Sequence, residues 1–142
     1  MTKRIYNTKD GKELEILSNH VTTQGGNFKG VCVSALLAYF GIQPNQYKYT
    51  WSKKTGNNYT AILRRFGFAV RSRKSVFKKY KTVGAIRKGI AQYQDYKENV
   101  NYVIEVEEHV LLLNSKGETI VDTAPRLRDR RRVYNVRAIF KT

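Results

Sequence analysis

Between Gly30 and Gly41 the chain carries an almost unbroken apolar run, Gly-Val-Cys-Val-Ser-Ala-Leu-Leu-Ala-Tyr-Phe-Gly. Val33, Leu36, Leu37 and Phe40 fall at i, i+3, i+4 and i+7, the spacing of one face of an α-helix. Ala35 and Ala38 extend the apolar surface to the other side, so the predicted helix is buried nearly all round and needs partners on every flank. Gly41 is placed to close it with a left-handed residue.

The rest of the chain supplies those partners. Residues 1–29 are polar and turn-rich, with a hairpin predicted around Asp10-Gly11 between Arg4-Ile5-Tyr6 and the run 14–17. A second helix fits residues 58–66, capped by Asn57 or Asn58 and stopped by Gly67, with a short strand, Phe68-Ala-Val-Arg-Ser72, after it. A third helix fits residues 83–93 behind Thr82 as N-cap, although Gly84 and Gly89 weaken it. The last third reads as β: residues 102–113, 119–123 and 132–140 are β-branched or aromatic runs, divided by Asn114-Ser-Lys-Gly117 and by Ala124-Pro125 with its arginines. Helices first and an antiparallel sheet afterwards make an α+β pattern. At 142 residues and 41% hydrophobic, one domain over 1–142 is expected, with 1–29 as an N-terminal arm or hairpin.

Charge sets the second constraint. There are 27 Lys and Arg against 11 Asp and Glu, a net +16. Such a surface attracts polyanions, whether nucleic acid, an anionic cell wall or an acidic partner. The densest basic cluster, Arg126-Leu-Arg128-Asp-Arg130-Arg131-Arg132, is a candidate nucleic-acid contact. No apolar stretch reaches membrane-spanning length, and the basic start lacks the apolar core of a secretion signal, so a cytoplasmic protein is expected, in a host cytoplasm or a virion if phage-encoded. One cysteine forms no internal disulfide, and with two histidines it makes a zinc site hard to assemble.

That cysteine, Cys32, stands at the head of the apolar helix. A thiol is a useful nucleophile as thiolate, and a helix N-terminus and a nearby imidazole both favour that form. His109 opens a strand-like segment downstream, and Asp122 follows it. If Ser115-Lys116 form the tip of a two-residue loop, His109 and Asp122 face each other directly, with Cβ atoms about 5 Å apart, close enough for the carboxylate to accept an imidazole N–H. An odd loop or a bulge would separate them. In this arrangement Cys32 attacks a carbonyl, His109 carries the proton, Asp122 fixes the tautomer, and the Cys32 N–H with Gln24 or Asn27 serves the oxyanion. His20 has neither an acid nor an apolar strand around it and reads as a surface residue.

The strings 27–42, with Cys32 at their centre, and Glu108-His-Val-Leu-Leu-Leu-Asn-Ser-Lys-Gly-Glu-Thr-Ile-Val-Asp-Thr123 resemble the compact papain-like cysteine peptidases, in particular the small phage and bacterial ones similar to double-glycine leader peptidases. The resemblance implies a papain-like fold with the nucleophile helix packed on the sheet, nucleophile Cys32, base His109 and orienting acid Asp122; no cofactor and no metal are expected. The family's oxyanion glutamine falls here on Gly26, between Gln24 and Asn27, and Val31 stands where an Asp or Asn often precedes the nucleophile.

Two functions fit the pattern. One is a peptidase or amidase acting on a polypeptide or a peptidoglycan stem. The other is a non-enzymatic basic virion or nucleic-acid-binding protein on the same scaffold, with Arg126, Arg128, Arg130, Arg131 and Arg132 on phosphates and Tyr47, Tyr49 and Trp51 beside Lys48, Lys53 and Lys54 on bases. The rings of that last stretch fit equally well as a loop packed on the core. Oligomeric state is not legible.

Overall fold

The structure is a computed structural model that describes residues 3–7, 13–17, 30–48, 51–52, 56–93, 100–107, 109–122 and 129–141. Its elements are β1 (Lys3–Asn7), β2 (Glu13–Leu17), α1 (Gly30–Tyr39), β3 (Trp51–Ser52), β4 (Gly56–Asn57), α2 (Tyr59–Arg65), β5 (Phe68–Ser72), α3 (Val83–Gln92), β6 (Asn101–Val106), β7 (His109–Leu113), β8 (Thr119–Val121) and β9 (Asn135–Lys141). This is an α+β fold. β1 and β2 pair as the hairpin expected from the sequence, Lys3 opposite Leu17 and Asn7 opposite Glu13. The main sheet is antiparallel throughout, in the order β5-β9-β6-β7-β8. Four of its strands are the last four of the chain, and the fifth, β5, arrives before α3 and takes the outer place beside β9.

Sequence signals fix the helix ends. In α1 the Ile42 N–H donates to the Leu37 carbonyl (3.0 Å) and the Gly41 N–H to that of Ala38 (2.9 Å), with Gly41 at φ +82°. That is a Schellman closure, and its hydrophobic partners Leu37 and Ile42 are both buried. α2 ends at Gly67, φ +93°. Thr82 caps α3, its Oγ1 accepting from the Ala85 N–H at 3.2 Å.

The two glycines that weaken the α3 pattern have tertiary reasons. A Cβ on Gly84 would stand 3.2 Å from the Asp129 carbonyl oxygen, and one on Gly89 would stand 2.8 Å from the Tyr80 ring. Both let a neighbour come against the helix, which the loss in helix propensity allows at about 1 kcal/mol each.

The run 102–113 is not one strand. It folds back on itself after Val106, which pairs with His109, to give β6 and β7. Glu107 and Glu108 carry no turn chemistry, so periodicity alone missed the break. The 119–123 run shortens to β8, and the 132–140 run begins its strand only at Asn135, Arg132 making an isolated bridge to Thr82.

The sheet has an apolar cluster on each face. On one, α1 and α2 bring Cys32, Leu36, Leu37, Tyr59 and Leu63 to Val103, Val110, Leu112 and Ile139. On the other, α3 brings Val83, Ile86 and Ile90 to Tyr102, Ile104, Leu111 and Leu113. Every residue of β7 is buried as a result, which explains why it reads as a continuous apolar run rather than an alternating one. α1 also lies against β2, and α2 against β5. There the Arg64 guanidinium donates from Nη2 to the Val70 carbonyl at 2.9 Å.

Candidate active site

Cys32 is the third residue of α1 and is 3% exposed, within the cluster that contains Val110, Leu112, Ile120 and Val121. His109 is the first residue of β7, and Asp122 follows the last residue of β8. His109 Nε2 and Asp122 Oδ1 are 2.7 Å apart, each side chain 9% exposed.

The route to this contact differs from the one expected. Residues 115–117 form a three-residue loop: the Asn114 N–H donates to the Glu118 carbonyl (2.9 Å) and the Gly117 N–H to that of Asn114 (3.0 Å), with Gly117 at φ +80°. Asn114 Oδ1 accepts from the N–H groups of Lys116 and Glu118, both at 2.9 Å. An odd loop of this kind puts Asp122 on the face away from His109. Leu113 pairs with Thr119, but Leu112 pairs with Val121, so Ile120 is an extra residue in β8. This bulge turns the strand by one position again, and the two departures cancel. Ile120 and Val121 consequently both enter the α1-side cluster, and Asp122 returns to the side of His109.

Strand alternation places the Cα–Cβ bonds of His109 and Asp122 on the side of Val106, Leu111 and Leu113, whereas Cys32 packs on the side of Val110 and Leu112. Both members of the pair stand at strand ends. They occupy the rim of the sheet, and the structure brings His109 and Asp122 together while Cys32 lies in the cluster on the other face. Because Asp122 engages Nε2, Nδ1 is the ring nitrogen left to exchange a proton.

A second polar group lies on the α1 face. Glu105, from β6, is diagonal to Arg137 of β9, and Arg137 Nε donates to its Oε2 at 2.7 Å. The Tyr59 hydroxyl from α2 donates to the same oxygen. Burial of Tyr59, reinforced by the Glu105 charge, raises its pKa well above the ordinary phenol value. For Arg137, burial acts to lower the pKa, but Tyr59 and the Glu105 carboxylate outweigh it and hold the guanidinium above its ordinary value. The sequence did carry one signal for this group, a charge at the inward register of an otherwise apolar strand. Its tyrosine partner, 46 residues away, had none.

Other expected site residues distribute differently. Gln24, Asn27, Arg126, Arg128, His20, Tyr49, Lys53 and Lys54 lie outside the described residues, and of Trp51 only the strand position is described. Arg130, Arg131 and Arg132 are exposed. Tyr47 packs against the core and donates to Ser34 Oγ at 3.3 Å, and burial raises its pKa, so this ring belongs to the packed-loop alternative. Among the described residues no three His, Cys, Asp or Glu side chains are grouped to hold a metal ion, and no helix is long and apolar enough to cross a membrane. Compared with protein-family models, curated proteins and solved structures, the chain matches none.

Proposed function

We propose that the protein is a cysteine-nucleophile hydrolase of compact papain-like type, cleaving amide bonds in a peptide or a peptidoglycan stem. The observation that carries this reading is the enclosed His109–Asp122 pair at 2.7 Å, at the ends of β7 and β8, the two main-sheet strands that α1 contacts. A carboxylate on Nε2 holds the imidazole in one orientation and stabilises its protonated form. This chemistry requires His109 to reach Cys32 around the end of the sheet, where its Nδ1 takes the thiol proton. The thiolate attacks the carbonyl carbon, and the imidazolium returns the proton to the leaving amine nitrogen as the C–N bond breaks, leaving a thioester. Water, deprotonated by the same nitrogen, then releases the acid and restores the thiol. Cys32 stands in the first turn of α1, at the positive end of the helix dipole, which favours the developing negative charge on the sulfur.

Alkylation tests this directly. An unassisted thiol ionises near pH 8.5 and is almost wholly protonated at pH 6. Iodoacetamide should label Cys32 at pH 6 at least about tenfold faster in the native protein than in His109→Ala, with Asp122→Asn between them, and activity on a peptide library should fall in the same order. Equal labelling rates in the native protein and in a folded His109→Ala variant would overturn the assignment.

A further inference from the structure

On the α3 side, away from Cys32, a cleft of about 230 Å³ opens between two segments. One is the pair of turns that follows β5, held by Phe77 N–H to the Arg73 carbonyl (3.1 Å) and Tyr80 N–H to that of Phe77 (3.0 Å). The other leads into β9, held by Val133 N–H to the Lys81 carbonyl (2.9 Å) and Tyr134 N–H to that of Glu105 (2.8 Å). The Arg73 N–H joins the two segments through the Val136 carbonyl at 2.7 Å. Phe77 forms the floor, buried and set edge-on against Tyr93 and Tyr102. The cleft is therefore built from backbone-bonded walls and packed rings.

Its lining is strongly one-signed. Lys74, Lys78, Lys81 and Arg132 line it, all exposed, and no acidic side chain does. None of the four makes an ion pair among the described residues. Four neighbouring cations repel one another, and a bound anion relieves that repulsion. An aromatic platform accompanies the charge: Tyr134, 48% exposed, is one of two large hydrophobic side chains exposed among the described residues, and its backbone is pinned to β6.

We propose that this cleft binds single-stranded nucleic acid, its phosphates on Lys74, Lys78, Lys81 and Arg132 and a base stacked on Tyr134. Cations that follow the backbone and a ring that takes a base face are the two components of strand binding without sequence preference. A duplex fits poorly. Its bases are stacked on each other and have no face to offer Tyr134. The site uses neither Cys32 nor the His109–Asp122 pair, so it stands or falls independently of the hydrolase reading.

Fluorescence anisotropy of the full chain with a labelled oligothymidine of about ten nucleotides tests the proposal. Four phosphate contacts on a single strand predict a log–log salt slope near −3, about a fifty-fold loss of affinity between 0.05 and 0.2 M salt. Lys78→Ala combined with Lys81→Ala should flatten that slope by about 1.4. Tyr134→Ala should weaken binding about tenfold or more, and Tyr134→Phe, which keeps the ring, should bind as the native protein does. All these positions are exposed, and a circular-dichroism melt confirms that the variants fold. If Tyr134→Ala binds unchanged, if the slope is the same in the double lysine variant, or if duplex DNA or inorganic polyphosphate competes as well as the oligonucleotide, the cleft is only part of a diffuse basic surface and the proposal is wrong.

Discussion

Glu105 is the residue on which the most depends for its size. One carboxylate oxygen receives both the Tyr59 hydroxyl and Arg137 Nε, so three elements, α2, β6 and β9, meet at a single atom. Removing it leaves a phenol and a guanidinium without their acceptor. Arg137 retains about a quarter of its exposure, which places the expected loss for Glu105→Ala at about 2–3 kcal/mol, below the range for fully enclosed pairs; urea denaturation measures it. Tyr59 adds a pH dependence. Its folded-state pKa is raised, so the folded chain keeps a proton that the unfolded chain loses near pH 10. The contribution is complete below pH 10 and declines above it. Urea midpoints should fall as pH rises past 10, and the fall should be shallower in Tyr59→Phe. Local pattern marks only Glu105 in this group, because its partners meet it only through packing. The His109–Asp122 pair was expected from an even loop, and it forms because an odd loop and the Ile120 bulge, neither of them legible locally, cancel each other.

At the scale of elements, punctuation was the readable part. Gly41, Gly67 and Thr82 end or begin helices by local backbone chemistry, and each does so in the structure. Gly84 and Gly89 misled because their reason is a neighbour, Asp129 in one case and the Tyr80 ring in the other. The β6–β7 turn went unread because nothing at Glu107-Glu108 favours a turn, and only the sheet demands one. The β7–β8 hairpin is fixed more firmly than its short strands suggest. Gly117 has a positive φ, and a Cβ there would stand 2.2 Å from the Arg87 carbonyl oxygen in α3. Arg87 itself reaches back, with Nη1 donating to the Gly117 carbonyl (3.2 Å) and to Thr119 Oγ1 (2.6 Å), while its Nε meets Asp129 at 3.1 Å. Gly117→Ala therefore suffers twice, from backbone strain and from collision with backbone that cannot swing aside. A loss of about 2–4 kcal/mol in chemical denaturation is expected, with weaker thiol reactivity at Cys32 if the hydrolase reading holds, because Asp122 rides on the same hairpin.

The whole molecule carries +16 on 142 residues, and that excess sets its response to salt. Raising ionic strength from about 0.01 to 0.15 M shortens the screening length from about 30 to 8 Å. Self-repulsion in the folded chain should relax accordingly, and Tm should rise by about 3–6 °C in a calorimetric scan, where a protein stabilised mainly by surface ion pairs would lose stability instead. The charge also guards the margin of the sheet. Among the described residues β5 is an outer strand, paired with β9 alone, and outer strands present backbone groups on which another chain can add. Arg64 occupies the Val70 carbonyl, and the exposed Arg71 sets a cation on the same strand. A second molecule approaching this margin would have to displace one guanidinium and desolvate the other. Both guanidiniums therefore oppose strand addition at this margin. Light scattering on Arg64→Ala combined with Arg71→Val should reveal growing assemblies where the native chain stays dispersed.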